Sequence, residues 1–180
     1  MKLSDSEKLI LTFLSDISLH LDIDETESGI SPRVVTNAIS SENEWALLLE
    51  YDNLFNFDSK LPDYIKELLG ILDMWAVVEY SYENLSKEDK DKVRSQISDN
   101  QVGFRGFNKE KEYKYFKAVK FIGEYINGKY KFLGDRYKNE SPSPKLSKYK
   151  AMKSTFNTVQ ENGMKETPFT ADQIVKIINS

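Results

Sequence analysis

The segment from Asp63 to Leu85 narrows the choice of fold more than any other part of the chain. Tyr64, Leu68, Ile71, Trp75, Val78, Tyr82 and Leu85 recur at steps of four and three. Ile65, Leu69, Leu72 and Ala76 form a second apolar stripe beside the first. This spacing is helical, and a helix apolar over most of its circumference needs neighbours on several sides. Pro62 and Asp63 suit its start. The spacing thus predicts a central helix over 63–85, with a narrow polar strip of Lys66, Gly70, Asp73 and Tyr80.

The flanking sequence supplies further helices. Ser4-Asp5-Ser6-Glu7 is a capping box, and Leu9, Ile10, Phe13, Leu14, Ile17 and Leu21 follow at helical spacing. Pro32 after Ser31 opens a short helix, and Trp45, Leu48 and Leu49 lie on another. Ser86 starts a charged helix reaching about Ile97. Asn108 is placed to cap a helix that carries Glu112, Tyr115, Phe116, Val119, Ile122 and Ile126 on one face. Leu146, Tyr149, Met152, Phe156 and Val159 mark another helix, which Asn162-Gly163 ends. Thr170-Ala171-Asp172-Gln173 is a second capping box, before Ile174, Ile177 and Ile178. Two segments read otherwise. Val102–Phe107, with two glycines and alternating apolar residues, is extended or a tight loop. Lys129–Phe132, after the Asn127-Gly128 turn, also alternates, so the two form a minor two-stranded ribbon. No repeat, low-complexity tract or interdomain linker appears. The expected fold is all-α: one domain over 1–180, with about seven or eight helices around the central one.

Composition excludes several classes of chemistry. There is no cysteine and one histidine, which leaves no thiol nucleophile, no thiolate metal site and no multi-histidine site. No spacing of carboxylates specifies a metal, and neither GxGxxG nor GxxxxGK[ST] occurs, so no metal and no cofactor is expected. There is no G-x-S-x-G elbow either. His20, near the end of the first helix, is expected to face solvent or the last carbonyls. Apolar runs are short and the start has no signal-peptide pattern, so the expectation is a cytoplasmic protein without a membrane segment.

Charge is divided along the chain. Residues 1–104 hold 9 Lys/Arg against 21 Asp/Glu, whereas residues 105–153 hold 14 against 5. The basic stretch is interleaved with aromatics, a combination that suits nucleic acid. Opposite halves also attract one another, within a subunit or between subunits, which points to a homo-oligomer. Among individual residues, Asp73 interrupts an apolar run, Glu112 sits on an apolar face beside Tyr115, and Arg105 stands between glycines, where it can clamp a carboxylate or phosphate. Asp73 and Glu112 each read as a structural acid or a pocket acid.

Several segments together resemble the YfbU family of uncharacterised bacterial proteins. The first is Ile71-Leu72-Asp73-Met74-Trp75, continuing to Ser81-Tyr82 and Leu85. The second is Gly106-Phe107-Asn108 with Glu112, Tyr115, Val119, Lys120 and Phe121. Asn139, Pro144, Tyr149 and Met152 form the third, and Thr170–Ile174 with Ile177, Ile178 and Asn179 the fourth. The family pattern has Asp where Asn108 stands and Arg where Lys8 and Lys120 stand. The resemblance implies a helical fold and no particular activity. Some members carry this region beside a helix-turn-helix domain, which implies a ligand-sensing or regulatory role.

The leading expectation is a non-catalytic ligand-binding, regulatory or protein-interaction module. Its candidate ligand-binding residues are Asp73, Tyr82, Arg105, Asn108, Glu112, Tyr115 and Tyr149. Its partners are a second copy, a small ligand or another protein. One alternative is an enzyme using Asp73, Glu112, Tyr115 and Tyr149, which requires those groups to converge. The other is nucleic-acid binding through residues 105–153.

Overall fold

The structure is a computed structural model that describes residues 3–54, 60–97, 102–126, 128, 130–161 and 168–180. Eight α-helices occur among them: α1 Asp5–His20, α2 Pro32–Ser40, α3 Trp45–Glu50, α4 Asp63–Glu83, α5 Lys87–Gln96, α6 Tyr113–Tyr125, α7 Leu146–Glu161 and α8 Ala171–Ile178. A 3-10 helix spans Lys131–Lys138. The all-α expectation holds.

Helix α4 is the centre. Ile65, Leu68, Ile71, Leu72, Met74 and Val78 are fully enclosed, and α6, α7 and α8 pack against it. Two stripes side by side are what a helix with neighbours on several flanks requires. Even its buried Ser81 is used: the hydroxyl accepts the Phe169 N–H at 2.9 Å and fixes the approach to α8. Both capping boxes form. Ser4 and Glu7 exchange hydrogen bonds at the head of α1, and Thr170 and Gln173 do so at the head of α8. The expected stop at Asn162-Gly163 lies outside the described residues, as do Asn127 of the expected turn and Lys129.

Helix α1 departs from the amphipathic norm. It packs on α2, and Lys8 pairs with Glu44 at 2.7 Å, but Ser15 is its only buried residue. Its apolar stripe points away from the body.

The two-stranded ribbon is not present among the described residues. Residues 131–138 form 3-10 turns instead, kinked at a non-helical Gly134, and Phe107 makes an isolated parallel bridge to Glu140. The reason lies in a competing period. Tyr130 and Leu133 are buried and three residues apart, the repeat of a 3-10 helix, and that spacing prevails over the local alternation. The start of α6 also differs from the sequence reading. Asn108 closes a turn by accepting the Lys111 N–H at 2.9 Å, and the helix begins only at Tyr113.

Ion pairs join the two oppositely charged halves within the chain. Glu42 pairs with Lys117, Glu67 with Lys150 at 2.9 Å, and Glu79 with Arg136 at 2.6 Å. Each pair joins an acid of the first 104 residues to a base of the stretch that follows.

Candidate functional site

The loop Phe104–Asn108 is the element around which the candidate residues gather. Phe104 and Phe107 are buried, and their rings meet that of Tyr149 from α7 at 5.6 and 5.5 Å, with Trp75 of α4 on another side at 5.8 Å. The aromatic cluster holds the loop from below, and polar contacts set its backbone. The Tyr149 hydroxyl accepts the Arg105 N–H at 3.2 Å and donates to the Gly106 carbonyl at 3.3 Å. Glu79 accepts the Phe104 N–H at 2.8 Å.

Gly106 permits the crossing of two chain segments. Its φ is +77°, and a Cβ there would lie 2.1 Å from the Asn139 carbonyl oxygen. The Ser141 N–H donates to the Phe107 carbonyl at 3.1 Å, and the Asn108 amide donates to the Ser141 carbonyl at 3.0 Å. Only glycine fits both the left-handed backbone and the close approach.

Glu112 is buried and fully occupied. One carboxylate oxygen accepts the Asn108 N–H at 2.8 Å; the other accepts the N–H groups of Lys145 and Leu146 at 2.8 and 2.6 Å. The latter two are at the head of α7, where a negative charge is favoured. Glu112 thus ties the loop, α6 and α7 together. Tyr115 is joined to this cluster through the Phe107 ring at 5.4 Å, but its hydroxyl donates to Glu67, which also receives Lys150.

Arg105, Asn108, Glu112 and Tyr149 are therefore brought together, with Tyr115 adjoining. Asp73 and Tyr82 are elsewhere. Asp73 faces Tyr130, and the Tyr82 ring lies under Lys90 and Arg94, at 5.9 and 6.0 Å, between α4 and α5. The two acids of the enzymatic alternative sit in separate surroundings. The tyrosines have raised pKa values: Tyr149 through burial, Tyr115 through burial and then Glu67, and Tyr130 through burial and then Asp73. They are hydrogen-bond donors at neutral pH rather than bases.

Above the loop lies a groove of about 550 Å³ between residues 102–105 and 139–145. Arg105, Arg136 and Lys145 line it, with Glu140 also on its wall. Arg136 is held in place by both Glu79 oxygens, at 2.7 and 2.6 Å, and by the Leu133 carbonyl. Arg136, Lys145 and Glu79 were not among the residues singled out from sequence. Glu79 and Arg136 stand 57 positions apart, and no local pattern marks such a pair. A second hollow, of about 330 Å³, lies beside α6 and is lined by Lys109, Lys117, Lys120 and Tyr113.

These features define a helical protein organised around one central helix, with Arg105, Asn108, Glu112 and Tyr149 gathered at a single loop crossing. The family model described as the YfbU domain matches residues 1–180, and the chain belongs to the YfbU family. A comparison with curated proteins gives no match. No helix among the described residues is long and apolar enough to cross a membrane.

Proposed function

We propose that the chain is a non-catalytic binding module that takes a small anionic ligand in the groove over the Phe104–Asn108 loop. The observation that carries this reading is the placement of Arg105 and Lys145 on facing segments of one groove, beside an Arg136 already oriented by Glu79. Guanidinium and ammonium groups on a preorganised wall suit a carboxylate or a phosphate. The loop that bears Arg105 is fixed by Tyr149 and Glu79, so little ordering is left for binding to supply.

Native mass spectrometry of gently purified protein tests this. The expected result is a mass excess that disappears on denaturation and is lost in Arg105→Ala and Lys145→Ala. A bare chain that inorganic phosphate and citrate fail to stabilise against heat would overturn the reading.

The hollow beside α6 favours a second reading, nucleic-acid binding, because Lys109, Lys117 and Lys120 stand there with Tyr113. Its mark is affinity for single-stranded nucleic acid that falls steeply with salt. No binding at low salt would remove it.

A further inference from the structure

Helix α1 is amphipathic in the reverse sense. The side turned to the body holds Lys8, Leu11, Thr12, Ser15, Ser18 and Leu19. The side turned to solvent holds Leu9, Ile10, Phe13, Leu14, Ile17 and Leu21, exposed by 72, 57, 64, 54, 42 and 64 %. A surface helix normally buries its more apolar face, so this one is arranged for something outside its own fold.

Size and pattern identify the occupant. Taking roughly 200 Å² for a fully exposed large side chain, the six residues present about 700 Å². Two copies face to face would cover at most about 1,400 Å², which reaches the lower part of the range of roughly 1,200–2,000 Å² typical of stable interfaces. Ile10, Leu14, Ile17 and Leu21 recur at steps of four, three and four, the repeat of a helix–helix seam. The stripe is also complementary to itself when reversed. A two-fold axis between Phe13 and Leu14 sets Ile10 against Ile17, Phe13 against Leu14 and Glu7 against His20. Antiparallel pairing opposes the helix dipoles. Parallel pairing would set Asp5, Glu7 and Asp16 against their own copies.

We infer that α1 is the contact helix of a homodimer, in which two copies pair antiparallel through the Ile10–Leu14–Ile17 stripe. The inference is independent of the anion groove, which lies on other elements. Charge between the two halves of the chain is not used in it, since Glu79–Arg136 and Glu67–Lys150 already pair within one copy.

Sedimentation of the full chain measures the association. The expected mass is twice the 20.8 kDa of one copy, and Leu14→Glu should weaken pairing at least about 100-fold. Leu14 is solvent-facing in one copy, so this variant should keep the wild-type circular dichroism and lose only the concentration-dependent part of the wild-type melting temperature. The natural chain has no cysteine, which makes single-cysteine variants direct reporters of geometry. Under oxidation Leu14→Cys should cross-link to itself and Leu21→Cys should not. A monomer at roughly 100 µM, a dimer indifferent to Leu14→Glu, or efficient Leu21→Cys cross-linking would each overturn the proposal. Association with a different protein by a monomeric chain counts among these failures.

Discussion

Glu112→Gln is the substitution whose cost follows most directly from the geometry. The carboxylate is 6 % exposed and receives three backbone N–H groups, one on one oxygen and two on the other. Glutamine keeps the shape but has only one acceptor oxygen. Turned toward Lys145 and Leu146, it preserves those two bonds without their charge and sets its amide donor against the Asn108 N–H. One charge-assisted bond is then lost, worth about 1.5–3 kcal/mol, and two are weakened. The expected destabilisation is about 3 kcal/mol; Glu112→Ala, which strands all three donors, should cost about 3–5 kcal/mol. At roughly 2–4 °C per kcal/mol for a chain of this size, the melting temperature of the glutamine variant falls by about 10 °C. Denaturant titration with an unchanged m-value is the assay. Ligand-binding acids commonly cost stability, so their replacement is neutral or stabilising. A loss under about 0.5 kcal/mol, or a gain, would refute the structural role and return Glu112 to the ligand site.

Three further perturbations have defined outcomes. Arg136→Ala leaves the half-buried Glu79 without its guanidinium; because the arginine is about one-third exposed, the cost is discounted to about 2–3 kcal/mol, and Arg136→Lys should restore little of it, as read by denaturation. Gly106→Ala meets both a positive φ and the Asn139 carbonyl, so a loss of at least about 2–3 kcal/mol is expected, and wild-type stability would contradict the crossing. Burial alone would raise the Glu67 pKa, but the Tyr115 hydroxyl and Lys150 outweigh it and leave the carboxyl below its ordinary 4.5. Its contribution is therefore complete above that value and lost as pH falls through the lower folded value. The stability gap between wild type and Tyr115→Phe should narrow across that acid range, and a gap independent of pH would show that the hydroxyl does not act on Glu67.

The helices were legible because each was written in local chemistry. Steps of three and four announce α4, and two capping boxes announce α1 and α8, so neighbours within a few residues determine the outcome. The 3-10 segment was misread because Lys129–Phe132 is too short for alternation to be distinctive. Burial of Tyr130 and Leu133, which decides the matter, is a tertiary property. The candidate site was legible in part for the same reason. Arg105 and Glu112 stand out against glycine and apolar surroundings. The partners that give them meaning are the Lys145 and Leu146 amides for Glu112 and, across the groove from Arg105, the Lys145 side chain, all more than thirty residues away.

The two features that bear on association were readable as patterns but not in direction. A charge division along a sequence says that the halves attract. Whether they do so within a copy or between copies depends on whether the acids of α4 face the bases of α7 and the 3-10 helix. They do, through Glu67 with Lys150 and Glu79 with Arg136, and the half-buried setting of both acids makes these contacts harder to exchange for intermolecular ones. The apolar stripe of α1 poses the converse problem. Helical periodicity identifies a face without saying which way it points, and an inward stripe and an outward one share the same spacing. What distinguishes α1 is the other side of the helix. Beside Leu11 and Leu19 it carries Thr12, Ser15 and Ser18, a less apolar set than the six exposed residues, yet that is the side the body covers. A helix held by its weaker face leaves its stronger face for another molecule, and that asymmetry, rather than charge, carries the case for self-association.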